Sequence, residues 1–313
     1  MRAFLKTFAL FMILPLAVFI ATVYQADGRS DPYYLRFTTP PQGSLIVGDS
    51  RSAQGIQPRV LDSVLHTGGW QGKTFNYSFA LNKSNFGPAY YKSIRKKLDP
   101  NSRDGVFVLS VDPWNISRSK TLTEEEDEQE EQERSFVARM WSVNMYPNVE
   151  YLLREYPYPF LTLLIPGRGQ RSDELELHED GWMEVSVDLS PKEVAKRIKD
   201  KTRSYEDRRL ATDTLSTLRI AYLRKTVDLL KQHGTVLLVR LPVHSNIHAI
   251  EERYMPDFNR FMEHLAESKD VTYFVIPPDD GKWSFTDGNH MTPTSGAKVS
   301  RIIGEELLKD LRK

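Results

Sequence analysis

Five short apolar runs, spaced along the chain, constrain its fold more than any other feature. They are residues 44–48 (SLIVG), 74–80 (TFNYSFA), 105–111 (GVFVLSV), 235–242 (TVLLVRLP) and 271–276 (VTYFVI). Each is short, apolar and bounded by turn-forming residues, the pattern of a strand. Segments with helical spacing lie between them. One opens at Pro58 and runs to about His66, with Val60, Leu61, Val64 and Leu65 on one side. Others cover Asn85–Leu98, Leu215–His233 (closed by Gly234) and Pro256–Ser268, and a last helix runs from near Thr294 to the C-terminus. Strands alternating with helices predict an α/β domain with a parallel central sheet covered on both faces. In such sheets the site gathers at the carboxyl ends of the strands. Residues that carry chemistry are therefore expected just after strands.

The N-terminus carries a different signal. No charged residue lies between Lys6 and Asp27, and Phe8–Tyr24 is nearly all apolar. A membrane-crossing helix needs about 20 such residues. Arg2 and Lys6 precede the run, which leaves the N-terminus in the cytoplasm and sends the rest outward. Pro15 is tolerable in a membrane helix. Residues 1–29 are read as an uncleaved signal anchor in preference to a cleaved signal peptide. A cut after Ala26 would put Tyr24 where a small residue is wanted. A buried soluble helix is disfavoured because the run has no polar face.

The remaining 30–313 form one domain with an insertion at about 117–213. Residues 27–42 read as a linker, mixing proline, charge and small polar residues without a period. The insertion opens with an acidic tract, Glu124–Glu133, expected to be solvated and either helical or disordered. A calcium loop would need a turn glycine and ligand spacing that the tract lacks. Trp182–Leu189 alternates like an edge strand, and Ser190–Glu193 (SPKE) reads as a capping box with proline at the first helical position. The insertion is thus expected to be ordered, as a lid or a partner-binding surface. Lysine plus arginine equals aspartate plus glutamate, 42 each, so there is no global field for nucleic acid. The absence of cysteine excludes disulfides, thiolate metal sites, cysteine nucleophiles and acylation at a cysteine. No zinc motif, P-loop or dinucleotide G-x-G-x-x-G is present.

Two short motifs fall where the sheet argument places chemistry. Gly48-Asp49-Ser50-Arg51 follows the first strand. Serine is a weak nucleophile until a base takes its proton. Taken alone, this serine reads as a helix cap. Asp287-Gly288-Asn289-His290 precedes the last helix. A carboxylate three residues before a histidine in a tight turn can fix the imidazole tautomer, and Gly288 gives that turn freedom. Taken alone, this is a loop histidine beside a capping aspartate. Arg240 and His244 end the fourth strand, at the active edge. With Arg51, they are candidates for binding an anionic or sugar substrate, against structural ion pairs for the arginines and a surface loop for His244.

Together, G-D-S after the first strand and D-x-x-H before the last helix resemble the SGNH or GDSL-like hydrolase family, over residues 43–115 and 234–313. The resemblance implies a three-layer flavodoxin-like fold, with Ser50 as nucleophile, His290 as base and Asp287 as its orienter. Two family blocks are altered. Where the family places a glycine as oxyanion donor, residues 76–80 (NYSFA) have none, which leaves the backbone N–H of Ser78 for the role. Where the family has G-x-N-D, the chain has Ser110–Asn115 (SVDPWN), with Asn115 as the nearest donor. The N-terminal anchor resembles the membrane-anchored DltD-like and AlgJ/AlgX-like branch of bacterial envelopes. That likeness implies an esterase or O-acyltransferase without cofactor or metal, on an acyl ester or polysaccharide of the envelope. The chain would be single-pass in the bacterial inner membrane with its domain in the periplasm or outside the cell, and an envelope protein is a candidate partner. The alternatives are a catalytically weak scaffold or glycan-binding protein of the same fold, and a secreted lipase-like esterase.

Overall fold

The computed structural model describes residues 1–28, 30–164, 175–278 and 281–312. Five parallel strands form the central sheet: β1 (Leu45–Val47), β2 (Phe75–Asn76), β3 (Gly105–Ser110), β4 (Gly234–Arg240) and β5 (Thr272–Val275), in the spatial order β2-β1-β3-β4-β5. Alternate residues point to opposite faces, and both faces are dry. Leu45, Val47, Phe107, Leu109 and Leu238 join one core with the helices Pro88–Lys97, Thr217–Lys231 and Phe258–Lys269. Ile46, Val106, Val108, Leu237 and Val239 join another with Pro58–Thr67 and Pro293–Asp310. Burial on both faces explains why these strands read as continuous apolar runs.

The α/β alternation is as expected, with four local corrections. Residues 27–42 are not a linker: Tyr34, Arg36 and Phe37 are fully buried. Arg36 donates to the carbonyls of Pro32, Asn76 and Gly181, and Phe37 stacks on Tyr151. The run 74–80 yields only two strand residues; Tyr77 still donates its N–H to Ile46 O, and on the outer edge Asn76 donates its N–H to Asp180 O of the insertion. A helix at Ser245–Tyr254 has no counterpart in the sequence reading. The helix at Pro191–Ser204 has its proline at the first turn, but Ser190 makes no side-chain capping bond. The capping box forms instead at Thr123 and Glu126, opening the acidic helix Glu124–Arg134.

That acidic helix is largely solvated, but Glu124 accepts the Thr217 N–H at 2.8 Å, and Asp127 and Glu131 turn inward onto Arg219, at 2.5 and 3.6 Å. The expected edge strand is shorter than predicted: Met183–Val185 pairs antiparallel with Leu175–Leu177. The first part of the insertion is no appendage, since Phe136, Val137, Met140, Val143, Tyr151 and Leu152 belong to the larger core. Arg2–Val23 is one helix, about 33 Å long at 1.5 Å per residue. It is exposed along most of its length and is long and apolar enough to cross a membrane, with a mean hydropathy of 2.3.

Candidate active site

The chain turns sharply after β1. Gly48 has φ +151°, and a Cβ there would lie 2.5 Å from Ser52 Oγ and 2.8 Å from Ser110 Cβ. Only glycine fits that approach. Asp49, not Ser50, caps the following short helix (Ser50–Gly55), accepting from Arg51 N–H at 2.8 Å. The Ser50 hydroxyl is thereby left for another partner, and it finds His290, 240 residues away: Oγ lies 2.8 Å from Nε2.

His290 is held by a five-residue loop. Thr286 N–H donates to His290 O at 2.8 Å, Phe285 pairs with Met291, and Gly288 sits at φ +83°. Within that loop Asp287 Oδ1 accepts the backbone N–H groups of Asn289 and His290, both at 2.9 Å. Its Oδ2 lies 2.9 Å from His290 Nδ1. With the Nδ1 proton committed to the carboxylate, Nε2 is the lone-pair nitrogen facing Ser50. Burial works to raise the Asp287 carboxyl, but His290 and Lys201 outweigh it and hold the group well below the usual carboxylate range. The three residues nominated as a triad from sequence therefore meet in one place, Ser50 directly after β1 and Asp287 and His290 in the loop before the last helix.

The insertion supplies supports that the sequence reading missed. From the helix Pro191–Ser204, Lys201 Nζ lies 3.0 Å from Asp287 Oδ2, and Arg197 Nε donates to Thr286 O at 2.7 Å. Tyr205, just beyond, donates its hydroxyl to Asn289 Oδ1 at 2.8 Å. The available signal was the four-residue spacing of Arg197 and Lys201, which places both on one helical face.

Arg51 and Arg240 do not line an open site. Arg51 is buried, with Nη2 2.6 Å from Glu251, Nη1 3.6 Å from Asp112 and Nε donating to Asn289 Oδ1 at 2.9 Å. Arg240 Nη2 lies 2.9 Å from the other oxygen of Glu251, and its guanidinium covers Phe258. Both arginines are structural, and the cause is Glu251, which lies in the unforeseen helix. Asp49 is packed against Asp112 in the same interior, and burial, then that second carboxylate, push its carboxyl well above the usual range. His244 caps the helix Ser245–Tyr254 through Nδ1 and donates its N–H to Gly288 O at 2.9 Å. It also borders a cavity of about 590 Å³ with Ile198, Thr202 and Arg203.

The two expected oxyanion donors are otherwise engaged. Asn115 is fully buried, and its Nδ2 donates to Ser110 O at 3.2 Å while its Oδ1 accepts from Asp112 N–H. Ser78 N–H donates to Asn76 Oδ1 at 3.2 Å, and its hydroxyl accepts from Ser52. Among the described residues the Ser50 N–H, first in its helix, makes no hydrogen bond within the chain. No family model, no curated protein and no solved structure matches the chain.

Proposed function

We propose that the chain is a serine-dependent O-acyl ester hydrolase or O-acyltransferase of the SGNH type, acting on an extracytoplasmic glycan or envelope polymer. One observation carries this reading: the unbroken Ser50–His290–Asp287 relay, at 2.8 and 2.9 Å. The strand order supports the flavodoxin-like fold, whose arrangement is 2-1-3-4-5. The apolar N-terminal helix supports the membrane anchor. In the reaction, Ser50 Oγ bonds to the acyl carbonyl carbon as its proton passes to His290 Nε2, and the carbonyl π pair moves onto oxygen. Collapse breaks the bond to the leaving alcohol, which takes the Nε2 proton. Water or a sugar hydroxyl then accepts the acyl group from Ser50 by the same steps in reverse.

The test uses the full chain in detergent, assayed with p-nitrophenyl acetate and a fluorophosphonate probe beside Ser50→Ala and His290→Ala. Turnover and labelling by the wild type, each falling about 10³-fold or more in both variants, is the expected outcome. Wild-type behaviour indistinguishable from Ser50→Ala would overturn it. The engagement of Asn115 and Ser78 in the interior favours a second reading, a catalytically weak scaffold or glycan-binding protein of the same fold. The same assay separates the two.

A further inference from the structure

The geometry points to Asn289 as a catalytic residue of this site, its Nδ2 group donating to the charged oxygen that develops when Ser50 attacks an ester. This inference rests on the esterase or transferase reading. It gives Asn289 the role that the sequence pattern assigned to Asn115.

The orientation of the Asn289 amide is fixed by chemistry. Arg51 Nε, at 2.9 Å, carries a hydrogen and no lone pair, so the atom it meets must be the amide oxygen. The Tyr205 hydroxyl donates to that same oxygen at 2.8 Å. The amide nitrogen is thereby turned toward the reacting atoms, 3.3 Å from His290 Nε2. Because the Nδ1 proton serves Asp287, Nε2 offers a single lone pair, and both Ser50 and Asn289 present a donor to it.

During attack the Ser50 proton moves to Nε2, which then has no lone pair left to accept. The Asn289 donor loses its resting partner as negative charge appears on the acyl oxygen next to it. A buried donor held in place by Arg51 and Tyr205 needs no reorganisation to meet that charge, which is the condition under which such a donor is most effective. When the intermediate collapses and the proton leaves with the alcohol, Nε2 accepts again and the resting arrangement returns. Asn115, whose amide is committed to Ser110 O, is not needed for this cycle.

The experiment compares the full-length wild type in detergent with Asn289→Asp, Asn289→Ala, Ser50→Ala and His290→Ala, measuring kcat/KM for p-nitrophenyl acetate across pH, with melting curves as a folding check. Asn289→Asp keeps an acceptor for Arg51 and Tyr205 but exchanges the donor for a charged acceptor. Asn289→Ala removes the donor without adding charge. Both variants should fold and lose about 10²–10³ in kcat/KM. The acid limb of the pH profile should also move upward in Asn289→Asp, where a carboxylate joins Asp287 near the imidazole, against the opposing charges of Lys201 and Arg51. Purely structural loosening would not move that limb. If Ser50→Ala and His290→Ala are inactive while both Asn289 variants stay within about threefold of wild type, the role of Asn289 is overturned and the esterase reading stands. If Ser50→Ala equals wild type, the esterase reading fails, and the catalytic role of Asn289 with it.

Discussion

Glu251 shows how a single buried carboxylate organises this site. It is fully buried, lies between Arg51 and Arg240, and accepts the indole N–H of Trp114 at 3.1 Å. Burial alone would raise its carboxyl, yet the two guanidiniums outweigh that and hold it below the ordinary value. Removing its charge would leave two arginines buried beside an amide, and breaking such a group costs about 3–5 kcal/mol. Glu251→Gln is therefore expected to lower stability by roughly that amount at neutral pH, as read from denaturant unfolding. The pH sign follows from the depressed folded-state value. Wild type has the full contribution above the unfolded glutamate range near 4.3 and loses it as pH falls below that range. The difference between wild type and Glu251→Gln should accordingly shrink in acid. A constant difference from pH 7 to pH 3 would contradict the ion-pair account. The triad was legible because its three residues sit in two short motifs, one directly after β1 and one just before the last helix. Glu251 was not, because a buried charge is recognisable only from the partners that neutralise it, and those lie 11 and 200 residues away.

At the scale of elements, the helix Pro191–Ser204 is the part of the insertion that reaches the chemistry. It has no fully buried residue, and Val194 and Ile198 are only half-buried, so polar contacts carry much of its docking. Arg197 donates to Thr286 O, Lys201 meets Asp287 Oδ2 and Ile198 lies beside Gly288, all on the loop that carries His290. Asp287 Oδ2 thus meets both the Lys201 ammonium and the His290 ring, and removing the ammonium leaves more of the carboxylate charge for the imidazolium that forms when Nε2 takes a proton. Lys201→Met is expected to move the acid limb of the kcat/KM profile upward by about half a unit, with kcat reduced less than tenfold. An unmoved limb would show that the ammonium is screened from the triad by solvent. The helix was legible from Pro191 at its first position, but the face it presents to the loop depends on packing across the insertion. The same limit applies to Phe75–Asn76. In the β-rich run 74–80 only Phe75–Asn76 is strand, and its outer edge is covered by the insertion, whose Asp180 carbonyl accepts the Asn76 N–H.

At the scale of the whole molecule, the boundary between the exposed apolar helix and the domain lies further toward the N-terminus than composition suggests. Prolines and small polar residues made 27–42 look like a tether, yet its aromatic residues form part of the larger core. Tyr34 and Phe37 are fully buried, and Phe37 meets Tyr77, Phe79, Phe136 and Tyr151. Val23 and Ala26 join the same core, whereas residues 1–18 are exposed. Apolar periodicity is a poor guide where a segment enters the core irregularly, through a single 3₁₀ turn at Tyr34–Phe37. Two truncations separate the readings. Removing residues 2–17 deletes most of the exposed apolar helix and should yield a soluble domain that melts cooperatively. Removing residues 2–37 also deletes two buried aromatics, each worth about 3–5 kcal/mol, together with the three hydrogen bonds of Arg36. That loss is comparable to the net stability of a typical domain, about 5–15 kcal/mol, so the shorter chain should not fold. Cytoplasmic expression followed by calorimetry reads both. Cooperative melting of the 38–313 fragment at the temperature of the longer one would mean that 27–37 is a tether after all, packed against the domain without contributing to its stability.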